Sequence, residues 1–483
     1  MNKNTLLFNT KENYYIYDGN TGNIFKINPM IKNIYENNFK SNIDGTVSKE
    51  IKDSMEEIDY LKEKGFFSGY PDEIYLDNII NQAYYDLENN MEGIILSVTQ
   101  NCNLRCEYCS YSGLYDNVRT HSDKVMSFEI AKKAIDKTIV RASGNKEFRI
   151  SFYGGEPLLQ FDLIRKCVSY VKSSYPEKEV NFSMTTNGTL LTKEKLKFLV
   201  ENKFMIYISL DGPEKYHDEY RKFFNSCKGS FKTIEKNIIY IKENYPNYYK
   251  EYVSFMMTLS PFRDVDEIEE FILESDIISE DNYIRVAFVN NSQELSLYKD
   301  KKKEENIEQD RLKMEFMDLR YIHAKIHGNI DYLEKSKVAL SINEDVDSFD
   351  KKRIVKKASK KILPRGCCIP GQGRLFVSVD GEFYICDKCS EKGDTLKIGD
   401  VEKGVDAKKS VKIIEDFYNA TREECLRCWA YLQCGMCPVS IEDDDKQSRE
   451  RKLDQCSNMK KSIETKLVKY MTIIEKNPDA FSM

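Results

Sequence analysis

Cysteine is missing from the first 101 residues, and no stretch of the 483-residue chain approaches 18 uninterrupted apolar positions. The second absence argues against a membrane-spanning helix, so no membrane partner is expected. The opening MNKNTLLFNTKENYYIYDGN also lacks an apolar run of signal-peptide length, and a cytoplasmic protein is expected. There is no basic excess: 73 Lys and Arg face 79 Asp and Glu, a formal charge of −6, with no long basic block. Proteins that live on nucleic acid carry a basic footprint, so no nucleic-acid partner is expected. Nor is the chain poor in apolar residues. At 41% hydrophobic and 31% charged it has material for real cores, which excludes disorder as its main state. Its length suggests two to four domains, and no internal repeat is visible.

What is present is cysteine in clusters. Of 14, three fall within eight positions (Cys102, Cys106 and Cys109), nine between Cys367 and Cys456, and Cys167 and Cys227 stand alone. In a cytoplasmic chain of this size, such grouping reads as metal or cluster ligands rather than disulfides.

Residues 1–75 read as a small separate binding module. Alternating apolar and aromatic residues at 5–9, 14–17 and 23–27 predict strands, with Asp18-Gly19 and Thr21-Gly22 as turns. Helical patterns follow at 30–39 and 47–64, the second ended by Gly65. A linker over 76–92 leads to a regular alternation. Strands are predicted at 94–99, 148–153, 180–185, 205–210, 252–259 and 284–289, with amphipathic helices at 128–140, 164–171, 193–200, 231–241 and 265–273. The fold class expected is α/β, a partial (β/α)6 TIM-like barrel over 93–330, with its chemistry where strands end and loops begin. Residues 296–330 read as a solvated charged helix carrying His323 and His327 on an exposed face. A Lys-rich connector (331–364), a cysteine-rich domain (365–460) and a helical tail (461–483) complete the chain.

The first cluster lies in SVTQNCNLRCEYCSYSG, directly after the first barrel strand. A [4Fe–4S] cluster normally takes four thiolates. Three leave one iron open to chelate a small molecule. Structural zinc prefers four closed ligands, for which His121 is the only nearby candidate.

Cys-x3-Cys-x2-Cys after a first strand, with Tyr108 before the third cysteine, resembles the radical S-adenosylmethionine (radical SAM) superfamily. Gly154-Gly155-Glu156-Pro157, Thr186-Asn187-Gly188 and Ser209-Leu210-Asp211-Gly212 fall at the ends of the next three strands, with His217-Asp218 and Arg221 beyond. The resemblance covers about 93–290. It implies a cluster on Cys102, Cys106 and Cys109, and S-adenosylmethionine held by Tyr108, Gly154, Gly155, Glu156, Asn187, Ser209 and Arg221. It also implies reductive cleavage to a 5′-deoxyadenosyl radical that abstracts hydrogen from an unactivated carbon.

Downstream, Cys425-x2-Cys428-x5-Cys434-x2-Cys437, then Cys456, with Cys368 and Cys386 upstream, resembles the SPASM domain of peptide-modifying radical SAM enzymes. The resemblance implies two auxiliary [4Fe–4S] clusters, for three in all. One falls on Cys425, Cys428, Cys434 and Cys456, the other on Cys368, Cys386 and Cys437. The fourth ligand of the latter is Cys389, Cys367 or an open position for a substrate thiolate. The core spacing of two residues between Cys434 and Cys437, where three is usual, departs from the pattern, and a zinc ribbon is the rival reading of these pairs. Asp387, directly after Cys386, matches a candidate base of related sulfatase-maturing enzymes; a solvated loop carboxylate is the plain alternative.

Two further stretches narrow the resemblance to thioether-forming maturases of ribosomal peptides, of the ranthipeptide and sactipeptide synthase kind. They are Cys109-Ser-Tyr-Ser-Gly through Asn117, Arg119, His121 and Met126, and Cys368-Ile-Pro-Gly-x2-Arg374. The N-terminal module resembles the RiPP recognition element, a winged-helix-like domain that adds a leader peptide to its sheet. The partners implied are a cysteine-containing precursor peptide with a leader and an external one-electron reductant of flavodoxin or ferredoxin type. Anaerobic sulfatase maturation and C–C crosslinking are the enzyme alternatives. A non-catalytic iron–sulfur carrier or peptide scaffold is the alternative of another class.

Overall fold

The computed structural model describes residues 4–36, 49–67, 69–113, 119–144, 147–260, 263–289, 303–347, 349, 358–391, 393–443 and 446–482. The helix ends predicted over 37–39 and 47–48, Asn117, the charged run 296–302 and connector residues 348 and 350–357 lie outside the described residues.

Three antiparallel strands open the chain: β1 (Thr5–Asn9), β2 (Tyr14–Asp18) and β3 (Ile24–Ile27), in that spatial order. Asp18 closes the β2–β3 turn, its carboxylate accepting the Thr21 hydroxyl (2.8 Å) and the Asn20 amide (3.1 Å). The helices Pro29–Glu36 and Lys49–Glu63 follow. Successive strand residues face opposite sides of a sheet, and here both sides are apolar. Ile16 and Ile27 pack with Ile31 and Ile58 on the module's own helices and with Phe67 just beyond them. On the other face Phe8, Tyr15 and Tyr17 pack with Ala430, Ile463 and Leu467 from the C-terminal region. The module therefore shares a core with the far end of the chain, in contrast to the self-contained unit expected from 1–75.

β4 (Glu73–Ile74) precedes a helix over Asp77–Asn89, which occupies the stretch read as a linker. Its Ala83 and Leu87 are fully buried, and it packs against the helix Ala407–Asn419. Next come β5 (Gly93–Thr99), β6 (Glu147–Gly154), β7 (Glu179–Thr186), β8 (Met205–Ser209), β9 (Val253–Leu259) and β10 (Ile284–Phe288). All six are parallel and adjacent in chain order. Between them run the helices Phe128–Ile139, Phe161–Ser174, Lys193–Glu201, Phe231–Asn244 and Val265–Glu274, close to their predicted spans. Ser127 and Thr192 cap two of these through their hydroxyls, satisfying amides that a helix start leaves without partners.

After β11 (Lys361–Ile362), which pairs with β4, the chain returns to the barrel. β12 (Leu375–Val377) lies parallel to β5, and β13 (Glu382–Tyr384), β14 (Lys397–Asp400) and β15 (Gly404–Val405) extend the sheet antiparallel. The result is one mixed ten-stranded α/β sheet. Leu375, Phe376 and Val377 are completely buried. A continuous apolar run buried on both faces belongs inside a sheet, which is why the barrel and the cysteine-rich region share a core.

The helix Lys303–His327 buries Met317, Tyr321 and Ala324 and leaves His323 and His327 exposed, so only its outer face is solvated. The helix Arg449–Ile474 runs unbroken from the cysteine-rich region into the tail, across the expected boundary at 460. Among the described residues no helix is long and apolar enough to cross a membrane.

Candidate functional site

Cys102, Cys106 and Cys109 occupy the loop at the C-terminal end of β5, and all three are partly buried. Burial, with the Glu156 charge beneath it, pushes the Cys102 thiol up to about 12. Burial likewise lifts Cys106 to about 12, against a downward pull from Arg221. Such thiols are poor nucleophiles on their own, whereas a coordinated metal removes the proton outright. The loop also directs amides at sulfur: Leu104 N–H to Cys102 Sγ (3.3 Å) and Tyr111 N–H to Cys109 Sγ (3.4 Å), with the Asn187 side-chain amide 3.7 Å from Cys102 Sγ. Donors of this kind suit thiolate ligands, so the residues fit an iron–sulfur group.

Gly154 and Gly155 are required by the same loop. Gly154 has φ +138°, and a Cβ on Gly155 would stand 2.0 Å from the Asn101 carbonyl oxygen. The Gly155 amide donates to Thr99 O (2.8 Å) and the Glu156 amide to Asn101 O (2.9 Å), fastening the turn after β6 to the cysteine loop. The glycines permit close contact between two backbones. The Glu156 carboxylate is buried, accepting the Leu158 amide (3.0 Å), the Thr186 hydroxyl (2.8 Å) and the Asn187 amide (2.7 Å). It staples β6 to β7 and orients Asn187 toward Cys102. Burial raises its pKa even so.

Tyr108 and Arg221 meet on Asp211, a residue quoted in the sequence motif without a role. Arg221 donates to both Asp211 oxygens (2.8 and 3.2 Å), the Tyr108 hydroxyl donates to Oδ2, and the Thr258 amide to Oδ1 (3.0 Å). Burial raises the Asp211 pKa, but Arg221's charge and hydrogen bonds outweigh it, and the carboxyl ends below its usual range. His217 lies behind, its Nε2 2.9 Å from Ser230 Oγ. Burial lowers its pKa to about 3, so it is neutral. Ser209 ends β8, half-buried.

Inside the sheet lies a cavity of about 510 Å³. Alternate strand residues line it, among them Ser151 and Tyr153 of β6, Thr185 of β7, Tyr207 of β8 and Met256 of β9. Asp387 and Arg374 reach it from the cysteine-rich region, paired at 2.6 Å. The Asp387 side chain is 16% exposed, so it is a cavity carboxylate rather than a solvated loop one.

The C-terminal cysteines fall into two neighbourhoods. Cys425 acts electrostatically on Cys428, Cys434 and Cys456, each held up mainly by burial, Cys428 to about 11. Cys368 feels Cys386 and Cys437, and Cys367 feels Cys368 and Cys437. Cys389 is buried with its sulfur 4.0 Å from that of Cys386, whose pKa that contact lowers to about 7. Both candidates for the fourth upstream ligand thus adjoin the same group. Among the described residues no three His, Cys, Asp or Glu side chains converge on a single-ion position. Cys167 is buried within its helix and Cys227 is exposed.

Sequence reasoning missed the latch between the two regions. Arg119 pairs with Glu391 at 2.6 Å, both nearly buried, donates to Cys389 O (3.2 Å) and stacks over Phe376. It also missed the cavity, although the polar residues Ser151, Ser183 and Thr185, alternating with apolar neighbours along their strands, were a signal for it.

Residues 96–274 match the model of the radical SAM superfamily, so the chain carries a radical SAM domain there. The cysteine-type anaerobic sulfatase-maturating enzyme of Clostridium novyi is 35% identical over 188 residues, 38% of this chain and about half (48%) of that protein. Its Clostridium perfringens (strain 13) counterpart is 27% identical over 73% of this chain and 90% of its own length. The radical SAM cyclopropyl synthase TigE of Paramaledivibacter caminithermalis is 28% identical over 35% of this chain and 36% of its own. Among solved structures, native anSMEcpe with bound AdoMet has a TM-score of 0.54 at 20% identity, covering 81% of this chain and 98% of that one. The likeness is one of fold.

Proposed function

We propose that this chain is a radical SAM enzyme that modifies a cysteine-bearing ribosomal peptide, closing a thioether crosslink. The cavity carries the reading: it lies inside the sheet and is lined by polar, aromatic and aliphatic strand residues, with Arg149, Arg285 and the Arg374–Asp387 pair as its charged groups. Cys102, Cys106 and Cys109 would hold a [4Fe–4S] cluster, with S-adenosylmethionine beside it near Tyr108, Asn187, Ser209 and Arg221. Together these supply a 5′-deoxyadenosyl radical when bound and reduced by a flavodoxin- or ferredoxin-type donor. The protein's part is to hold the peptide carbon near that radical and keep water out. Asp387, paired with Arg374 at the cavity wall, is the candidate group to take a proton from the substrate.

Native anSMEcpe has been solved with bound AdoMet and the Kp18Cys peptide, at a TM-score of 0.53 to this chain. That supports a peptide as the occupant here. The two C-terminal cysteine groups would hold the auxiliary clusters. β3, at one end of the N-terminal sheet, offers an edge to a leader strand.

A second reading is favoured by the named relatives: oxidation of a sulfatase cysteine or serine, as the sulfatase-maturating enzymes do. One incubation separates the two. The enzyme is mixed anaerobically with cofactor, reductant and a candidate cysteine-rich peptide encoded beside its gene, and the product is alkylated after disulfide reduction. Thioether closure removes two hydrogens and one alkylatable thiol per crosslink. Aldehyde formation from cysteine expels the sulfur. A two-hydrogen loss with every thiol still alkylatable rejects the thioether and points to a C–C bond or to oxidation of a serine, which fragmentation of the product tells apart.

A further inference from the structure

Lysine is almost never fully buried unless it is paired, yet Lys452 is 3% exposed. Among the described residues no carboxylate pairs with it. Its Nζ donates to the Phe417 carbonyl and sits 3.7 Å over the Phe417 ring. A carbonyl and a ring face soften the burial of an ammonium without neutralising it, and an isolated buried charge costs several kcal/mol, about that of any unpaired ion. The compensating negative charge has to come from elsewhere.

The surroundings say where. Lys452 lies on the helix Arg449–Ile474 one turn before Cys456, so the two share a face. Phe417 is followed by Tyr418, whose hydroxyl donates to Arg365 O, two residues before Cys367. There the backbones of the two cysteine groups touch. Gly366, at φ +83°, runs so close that a Cβ would stand 2.8 Å from Cys434 O and 2.7 Å from Met436 O. Burial drives the Lys452 pKa down on balance, while Cys425, Cys434, Cys456 and Cys367 pull it the other way. Those four belong to both groups.

We propose that Lys452 is the shared counter-cation of the two C-terminal cysteine groups, raising the reduction potential of the iron–sulfur group each one holds. The inference rests on the cluster reading given above. A fixed positive charge favours the reduced, more negative state, and net charge around a cluster is among the determinants of its potential. Lys452 acts on the clusters through space and is a positioning residue, not a catalytic one.

The test uses the full chain, anaerobically reconstituted, as wild type, Lys452→Met and Lys452→Arg. Iron is counted, and the reduced fraction of each auxiliary cluster is followed by electron paramagnetic resonance against solution potential. The cluster on Cys102, Cys106 and Cys109 serves as internal reference. In Lys452→Met the reduced-to-oxidised ratio of both auxiliary clusters should fall about tenfold at fixed potential, about 59 mV for one electron. In Lys452→Arg it should return toward wild type. Unmoved potentials in Lys452→Met, or movement of one cluster alone, would overturn the proposal. Should Lys452→Met lose iron, retention with wild-type potentials in Lys452→Arg supports a charge role, while iron loss in both variants marks a packing role and overturns it. A wild type holding no auxiliary iron would sink the cluster reading and this inference together. Intact wild-type clusters with unmoved potentials sink this inference alone.

Discussion

Asp211 and Arg221 form a buried ion pair beside the cysteine loop, their side chains 5% and 9% exposed. Removing one member strands the other in a dry site, which typically costs about 3–5 kcal/mol. Replacing both by apolar residues of similar volume is often close to neutral. Asp211→Asn and Arg221→Met should therefore each destabilise local structure by that amount, and Asp211→Leu/Arg221→Met should recover most of it. At about 1.4 kcal/mol per tenfold, the single variants should accelerate amide exchange by roughly two to three and a half orders of magnitude. The reporting amides are Thr258, which donates to Asp211 Oδ1, and Leu210, which donates to Met256 O. Hydrogen–deuterium exchange read by mass spectrometry over β8 and β9 measures it without assuming two-state unfolding. The pH dependence has a definite sign. Because the folded pKa of Asp211 is depressed, the pair's stabilisation is present above the unfolded value of about 3.9 and is lost as pH falls through the lower folded one. Arg221→Met should abolish that acid limb. Exchange in Asp211→Asn within twofold of wild type, or a double variant as open as the two singles combined, would refute the reasoning. The double variant should regain stability without regaining cofactor cleavage.

Three other outcomes are expected. Gly155→Ala puts a methyl 2.0 Å from Asn101 O, so the cysteine loop must move by about 1 Å, a displacement that can cost about a hundredfold in rate; cofactor cleavage in anaerobic assays should fall at least that far. Replacing Cys425, Cys428 and Cys434 by Ala should remove about four irons while leaving those on Cys368, Cys386 and Cys437, and the reverse triple should do the converse, on four-iron chemistry; iron analysis reads both, and stoichiometric zinc would overturn the assignment. Glu475 Oε1 accepts the Thr10 hydroxyl (2.7 Å), the Asn13 amide (2.8 Å) and the Tyr15 hydroxyl (2.6 Å). Glu475→Ala should loosen the β1–β2 turn, by about 1.5–3 kcal/mol for charge-assisted bonds, and limited proteolysis near residue 10 should quicken while the barrel stays intact.

The six barrel strands were legible because each is a short segment rich in apolar residues and the first five lead into amphipathic helices, a local pattern of βα alternation. The cysteine loop was legible for a similar reason: ligand spacing within eight residues is a local property of the chain. Other features were written locally but needed a partner to be interpreted. Tyr14 to Tyr17 is apolar at every position, and only the placement of Leu467 and Ile463 shows what its second face covers. Leu375 to Val377 read as part of a separate domain until β5 supplied its neighbour.

By itself, the sequence determined the βα alternation, the position of the cysteines at the end of the first barrel strand, and the motifs at the ends of the next three. Tertiary structure alone decided that Glu156 staples strands, that Asp211 joins Tyr108 to Arg221, and that Arg119 latches the cysteine loop to Cys389. It also decided that Lys452 is buried against Phe417 without a carboxylate partner among the described residues. The physical reason is separation along the chain. Hydrophobic period and ligand spacing are properties of neighbouring residues, whereas the partner of a buried charge is set by whichever distant segment the fold brings within about 3 Å of it.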